Sequence, residues 1–132
     1  MAFNAILSIL DSSGQAQTSL KVLEMDFGFS QNTDNTGKPT GRPLIHNINM
    51  VVESTNDTQI ADWMVSFGGV KDGKIEINLR NNLKKTIKFK NAYCIQYHES
   101  FNHQGEESPM HISFSISPTE IELDDSIFIS NI

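Results

Sequence analysis

Ser30-Gln31-Asn32-Thr33-Asp34-Asn35-Thr36-Gly37-Lys38-Pro39-Thr40-Gly41-Arg42-Pro43 holds no aliphatic or aromatic side chain, and strongly alternating apolar runs flank it on both sides. Before it, Leu20 to Phe29 places Leu23, Met25, Phe27 and Phe29 on one face and Val22, Glu24 and Asp26 on the other. After it, Leu44, Ile48, Met50 and Val52 point inward while Asn47, Asn49 and Glu53 point outward, with His46 on the apolar parity. A period of two on both sides predicts two strands joined by a long polar connection. Connections of this length are usually functional or disordered. Two of the four prolines and two of the eight glycines fall within it, together with Asp34, Lys38 and Arg42. Stiffening by Pro39 and Pro43 and charges of both signs suit an arm that docks on a charged partner surface. Composition equally allows a solvated hairpin loop with no partner.

Outward from this stretch the alternation persists. Phe3 to Leu10 places Phe3, Ala5, Leu7 and Ile9 on one face, and Ile6 and Leu10 make the other partly apolar, as in a strand covered on both sides. Asp11-Ser12-Ser13-Gly14 reads as a turn. Beyond Val52, the spacing of Ile60, Trp63, Met64 and Phe67 predicts one helix over about residues 57–67, with these four as its packing stripe. Asn56 stands as N-cap with Gln59 in capping-box position, Asp57 suits the helix dipole, and Gly68-Gly69 ends the helix. Strands then resume. Ile75, Ile77 and Leu79 alternate with Lys74, Glu76, Asn78 and Arg80, and Asn81-Asn82 turns the chain. A long strand follows, with Ile87, Phe89, Tyr93, Ile95, Tyr97 and Phe101 on one parity and Lys84, Lys88, Lys90, Ala92 and Cys94 on the other. After a turn over Asn102 to Pro109, Met110, Ile112, Phe114 and Ile116 share a face. Pro118 breaks that run, Ile121 and Leu123 resume it, and the apolar tail from Ser126 to Ile132 is expected to dock. Strands, one helix and more strands make a mainly β fold: a β-sandwich or partly open β-barrel with one flanking helix. No repeat or composition shift divides residues 1–132, so a single domain is expected.

Composition narrows the function. A formal charge of -6 opposes binding nucleic acid through a general electrostatic field. A single cysteine, Cys94, forms no internal disulfide, and its place between Tyr93 and Ile95 suits a small buried apolar residue better than a nucleophile. The apolar start from Met1 to Leu10 has no basic leader and no cleavage-like site before Asp11, and no apolar run approaches membrane-spanning length. A soluble, acidic protein made in the cytosol, without membrane insertion, is expected. His46, His98, His103 and His111 stand at no recognised metal spacing, and no nucleophile elbow or phosphate loop is present. Neither a cofactor nor an enzyme is expected. Lys84, Lys88 and Lys90 share one strand face and Glu120, Glu122 and Asp124 another. These are two solvated faces, a modest cross-strand ladder, or, on the sharper reading, patches that meet head to tail between subunits.

Several stretches in order resemble a known family: Met1-Ala2-Phe3-Asn4-Ala5-Ile6-Leu7, the loop from Phe29-Ser30-Gln31 through Asp34 to Gly37-Lys38-Pro39, and Val52-Glu53-Ser54-Thr55 leading into Asp62-Trp63-Met64. Lys71-Asp72-Gly73-Lys74-Ile75, Phe89-Lys90-Asn91-Ala92-Tyr93-Cys94 and Ile116-Ser117-Pro118-Thr119-Glu120-Ile121 complete the set. Together they resemble the tube-forming protein of type VI secretion systems, the haemolysin-coregulated protein (Hcp, or TssD) family, in the version found in Bacteroidota. The resemblance implies a β-barrel with a flanking helix, six copies closing into a ring, and rings stacking into a hollow tube. A contractile sheath would drive that tube outward with a spike and effector proteins, some small effectors lying inside the ring. It further implies that Gln31, Asp34, Lys38 and Arg42 contact the next ring, with Gly37 and Pro39 shaping the arm. Such a protein is made in the bacterial cytoplasm and exported through the machine without a signal peptide. Two other readings stand beside this one: a tube protein of a phage-tail-like extracellular contractile particle, and a monomeric β-barrel holding a small ligand in a large apolar cavity.

Overall fold

The computed structural model describes residues 4–11, 13–55, 58–78, 84–101 and 110–124, and the backbone of 126–129. Phe3, Asn56, Asp57, Leu79, Arg80, the turn at Asn81-Asn82 and the segment Asn102 to Pro109 with His103 lie outside the described residues. The chain runs β1 (Asn4–Leu10), β2 (Ala16–Asp26), β3 (Phe29–Ser30), β4 (Leu44–Ile45), β5 (Ile48–Glu53), α1 (Gln59–Val65), β6 (Lys71–Asn78), β7 (Lys84–Phe101), β8 (Met110–Ser117), β9 (Glu120–Leu123) and β10 (Ser126–Ile129). Every pairing is antiparallel, in the order β10-β9-β7-β6-β1-β2-β5-β8, and a further β7–β8 pairing joins the ends. Six strands therefore close into a barrel, with β9 and β10 added outside β7. The barrel is closed, the tighter form of the sandwich or partly open barrel expected from the strand order. Closure satisfies strand edges that an open sheet would leave bare.

Alternating side chains fill the interior. Leu7, Ile9, Ile48, Val52, Ile75, Ile87 and Ile116 are all 0 % exposed, so the barrel is a packed core and not a channel. Close packing also dictates Gly73: a Cβ there would lie 2.4 Å from Phe89 Cζ and 2.8 Å from the Ser8 carbonyl oxygen. Only hydrogen fits beneath that ring.

The strand β7 supplies walls on both sides of a bend. Its first half pairs with β6 and β9, its second half with β8. At the bend Asn91 takes φ 49°, a left-handed conformation that asparagine tolerates better than most residues, and its N–H donates to Asp72 Oδ1 at 2.9 Å. The extra residue inverts the alternation. Ile87 and Phe89 are buried before it, but Ala92 and Cys94 are buried after it. Tyr93 and Ile95, expected inside with Phe89, are instead 43 % and 42 % exposed. A second irregularity between Cys94 and Gln96 turns Tyr97 partly inward again, while Phe101 stays exposed at the strand's end. The same cause corrects β2: a shift between Val22 and Glu24 buries Leu20 and Val22 and leaves Leu23 exposed. Leu44 is likewise exposed, because it belongs to the short hairpin β3–β4 and not to the barrel strand β5.

Opposite β7, β8 and β9 behave as one strand interrupted at Pro118-Thr119. Tyr93 pairs with Ser117 and Lys90 with Glu120, and between them both the N–H and the hydroxyl of Thr119 donate to the Lys90 carbonyl at 3.2 and 3.1 Å.

Helix α1 is shorter than its sequence pattern suggested. It starts at Gln59 with Thr58 as N-cap, so Gln59 is the first helical residue and not the third. It ends at Val65, because Ser66 is already extended; Gly68, with φ 72°, lies in the following loop. Ile60 and Trp63 are buried and Met64 is partly packed against the core. Phe67 lies past the helix end and is fully exposed, which removes it from the packing stripe. Trp63 stacks on Phe89 with centroids 6.4 Å apart, and its indole N–H donates to the Ala92 carbonyl at 3.1 Å. The indole thus anchors the helix on both sides of the β7 bend.

Candidate functional site

The polar arm between β2 and β5 is a folded hairpin. Phe29 pairs with Ile45 and Ser30 with Leu44 at its base, and His46 Nε2 lies 2.8 Å from Ser30 Oγ. Further out, the Thr40 N–H donates to the Asn32 carbonyl at 2.8 Å and Thr33 bridges Pro39. The tip is organised by one carboxylate. Asp34 Oδ1 accepts the Thr36 N–H at 2.8 Å, the Thr36 hydroxyl at 2.7 Å and the Lys38 N–H at 3.1 Å. These donors, the Thr36 hydroxyl first, favour the charged form and hold the Asp34 carboxyl below the ordinary aspartate range. Gly37, at φ 86°, makes the tight turn. The same construction recurs at Asp11, whose Oδ1 accepts from Ser13 N–H, Ser13 hydroxyl and Gln15 N–H ahead of Gly14 at φ 88°.

Of the arm residues singled out in the sequence, several serve the arm itself. Asp34 and Gly37 build the tip, Pro39 sits in the bridge, and the Gln31 amide donates to the Gly41 carbonyl at 3.3 Å. Lys38 and Arg42 are exposed, and among the described residues neither forms an ion pair. They are the arm's outward chemistry.

The charged patches meet inside one chain. Lys88 faces Glu122 and Lys90 faces Glu120, each at 3.9 Å, in the register of the β7–β9 pairing. Lys84 Nζ lies 3.2 Å from Glu76, whose carboxyl is held low chiefly by that hydrogen bond. Asp124, at φ 52°, accepts the Thr86 N–H at 3.2 Å and returns its own N–H to Thr86 at 3.1 Å. Strand order thus sets these charges against each other within the fold, as in the cross-strand ladder that the sequence allowed, and the lysine side chains stay more than half exposed.

The outer face of β2, β5, β8 and the second half of β7 is built differently. Asn49 donates to Asp26 at 2.9 Å, and the Ser115 hydroxyl lies 2.6 Å from the Asn49 oxygen and 3.4 Å from that of Gln96. A row of hydrogen bonds running from the Asp26 carboxylate through Asn49 and Ser115 to Gln96 thus crosses four strands, on a face where Tyr93 and Ile95 are also exposed. Sequence reasoning missed this pairing because it depends on register across non-adjacent strands.

No catalytic constellation takes shape among the described residues. No group of three or more His, Cys, Asp or Glu is placed there to hold a metal ion. Burial pushes the Cys94 thiol up to about 11, and burial together with Glu99 pushes the Tyr97 phenol up to about 12, so both are protonated at neutral pH. A cleft of about 600 Å³ is lined by Met25, Met50, Met64, Tyr97 and Phe114 but also by Asn49 and Gln96, and it opens to solvent. It is not the enclosed apolar cavity required by a small-ligand barrel. Among the described residues no helix is long and apolar enough to cross a membrane.

Comparison with known proteins agrees with this architecture. No curated protein matches the chain. Among solved structures, Hcp1 from Flavobacterium johnsoniae is 30% identical over 96% of this chain and 99% of its own, with a TM-score of 0.81. Hcp1 from E. coli EAEC 042 (15% identity, 96% of this chain and 97% of that one, TM-score 0.71) and Hcp1 from Salmonella typhimurium (15%, 97% and 92%, TM-score 0.70) share the fold. A model of the family described as "Hemolysin coregulated protein Hcp (TssD)" matches residues 1–131. A closed β-barrel with a structured polar arm and a short flanking helix, matched by that model along its length, belongs to the haemolysin-coregulated protein (TssD) family, the tube subunits of type VI secretion.

Proposed function

We propose that residues 1–132 act as a single tube-forming domain, that six copies close into a ring, and that the arm carries each ring onto the next. The observation that carries this reading is the exposed apolar surface outside the barrel. Val65, Phe67, Tyr93 and Ile95 are 80 %, 106 %, 43 % and 42 % exposed, although the core beneath them is full. Large apolar side chains left this exposed on and beside α1 and on the outer side of β7 are candidates for surfaces that associate. Identical neighbours arranged in a circle cover such surfaces on every copy at once. The outer partners follow from the family: a contractile sheath around the tube, a spike at its tip and effector proteins carried with it. The protein acts as a structural part and carries out no catalysis; it is made in the bacterial cytoplasm and leaves through the machine.

Size-exclusion chromatography with light scattering, followed by negative-stain imaging, tests the assembly. Purified protein is expected to elute as six copies and to show annular particles. A well-folded single copy at millimolar concentration, with no rings on the grid, overturns the proposal.

A further inference from the structure

The distribution of unpaired charge along the barrel identifies what the arm docks on. All of the lysines and arginines of β6 and β7 lie before Tyr93, and those facing outward on the first half of β7 are matched by glutamates. By contrast, the segments 22–26, 48–53, 93–101 and 110–117, which pair with one another to make the other side of the barrel sheet, hold no Lys or Arg and four carboxylates: Glu24, Asp26, Glu53 and Glu99. Asp26 sits at the arm end of this sheet and is tied to Asn49. Glu53 and Glu99 sit at the opposite end, where β5 stops, about 13 Å along the strand from the level of Asp26. Glu99 is held in place by two neutral donors, the Ser54 hydroxyl at 2.7 Å and the Tyr97 hydroxyl at 2.8 Å. Its position is set, yet no cation among the described residues balances its charge. The arm presents the converse, since Asp34 spends its Oδ1 on the tip while Lys38 and Arg42 are exposed and pair with no carboxylate among the described residues.

We infer that Lys38 and Arg42 of one copy dock against the Glu53–Glu99 end of a second copy of this chain. The inference rests on the reading of the arm as the contact between rings, and it names the acceptor. A contact joining one end of a subunit to the opposite end of the next is heterologous, and where each copy is displaced along one axis it repeats without closing and builds a stack. Complementary charge sets its direction: arm against arm, or acidic end against acidic end, places like charges together.

A charge exchange tests this, read as the protein concentration at which stacked rings first sediment at low salt. Lys38→Glu with Arg42→Glu is expected to raise that concentration roughly 10-fold or more, because weak exposed pairs act together around a ring. Glu53→Lys with Glu99→Gln should do the same; the glutamine keeps an acceptor for Ser54 and Tyr97. Arm-reversed protein carrying Glu53→Lys and Glu99→Lys should stack again. If arm reversal weakens stacking, acidic-end variants stack like the parent and the exchange fails to rescue, the acceptor is overturned while the arm reading stands. If arm reversal changes nothing, the arm reading itself falls and this inference with it.

Discussion

The two halves of β7 share a backbone and little else. Before Asn91, Lys84, Lys88 and Lys90 each have a glutamate within 4 Å in the same chain, and Ile87 and Phe89 fill the core. After it, the outward face carries Tyr93, Ile95, Gln96 and His98, with no lysine or arginine, and part of its apolar surface stays uncovered. One strand is thus a finished wall for its first half and an unfinished surface for its second. A single left-handed residue separates a region that completes itself from one suited to neighbours.

The largest test of that contrast removes what holds the halves together. Trp63→Ala deletes the stack on Phe89 and the bond to Ala92, and should cost about 3–5 kcal/mol in chemical denaturation. If the loss is near zero, the halves are not coupled through the indole. Next, Tyr93→Lys with Ile95→Lys should leave the melting temperature nearly unchanged but convert rings to single copies in light scattering. Intact rings would place the neighbour elsewhere. Asn91→Val places a β-branched residue at positive φ and should lose about 1–3 kcal/mol, whereas Asn91→Gly should be tolerated. Equal stability of the two variants would remove the bend from the account. The smallest effect belongs to the finished half. Lys88→Glu with Lys90→Glu sets like charges on exposed pairs, and should lose about 1 kcal/mol or less with rings intact. Rings lost on that change would revive an intersubunit role for these lysines.

Legibility in the sequence followed the bulges. Where a strand runs without one, alternation identified the core residue by residue: Leu7 and Ile9 on β1, Ile48, Met50 and Val52 on β5, Ile112, Phe114 and Ile116 on β8. At Val22 and Leu23 it failed, although Met25, Phe27 and Phe29 beyond them pack against the core as expected. It failed again for Tyr93 and Ile95 past Asn91, because an inserted residue reverses the parity and no letter announces the insertion. Asparagine at 91 was the available hint. The long polar stretch was recognisable as an arm, but its order was hidden in a short local pattern, Asp34-x-Thr36-Gly37, already present as Asp11-x-Ser13-Gly14. The helix was visible by its stripe and overextended by one apolar residue, since Phe67 keeps the spacing after the backbone has left the helix. The charge pairs of β7 and β9 awaited the topology, which alone decides whether two patches belong to one chain or to two.

The continuity of β7 has a mechanical consequence. Eighteen residues run without a loop from the charged wall to the surface proposed for neighbours, shadowed by β8 and β9 along one edge. Pulling along such a strand loads its ladder in shear, so many hydrogen bonds resist together instead of opening singly. Thr119 pins the one interruption in the partner strand back onto Lys90, which keeps the bend from becoming a hinge. A load applied along β7 is therefore shared between one unbroken backbone and the ladders that flank it.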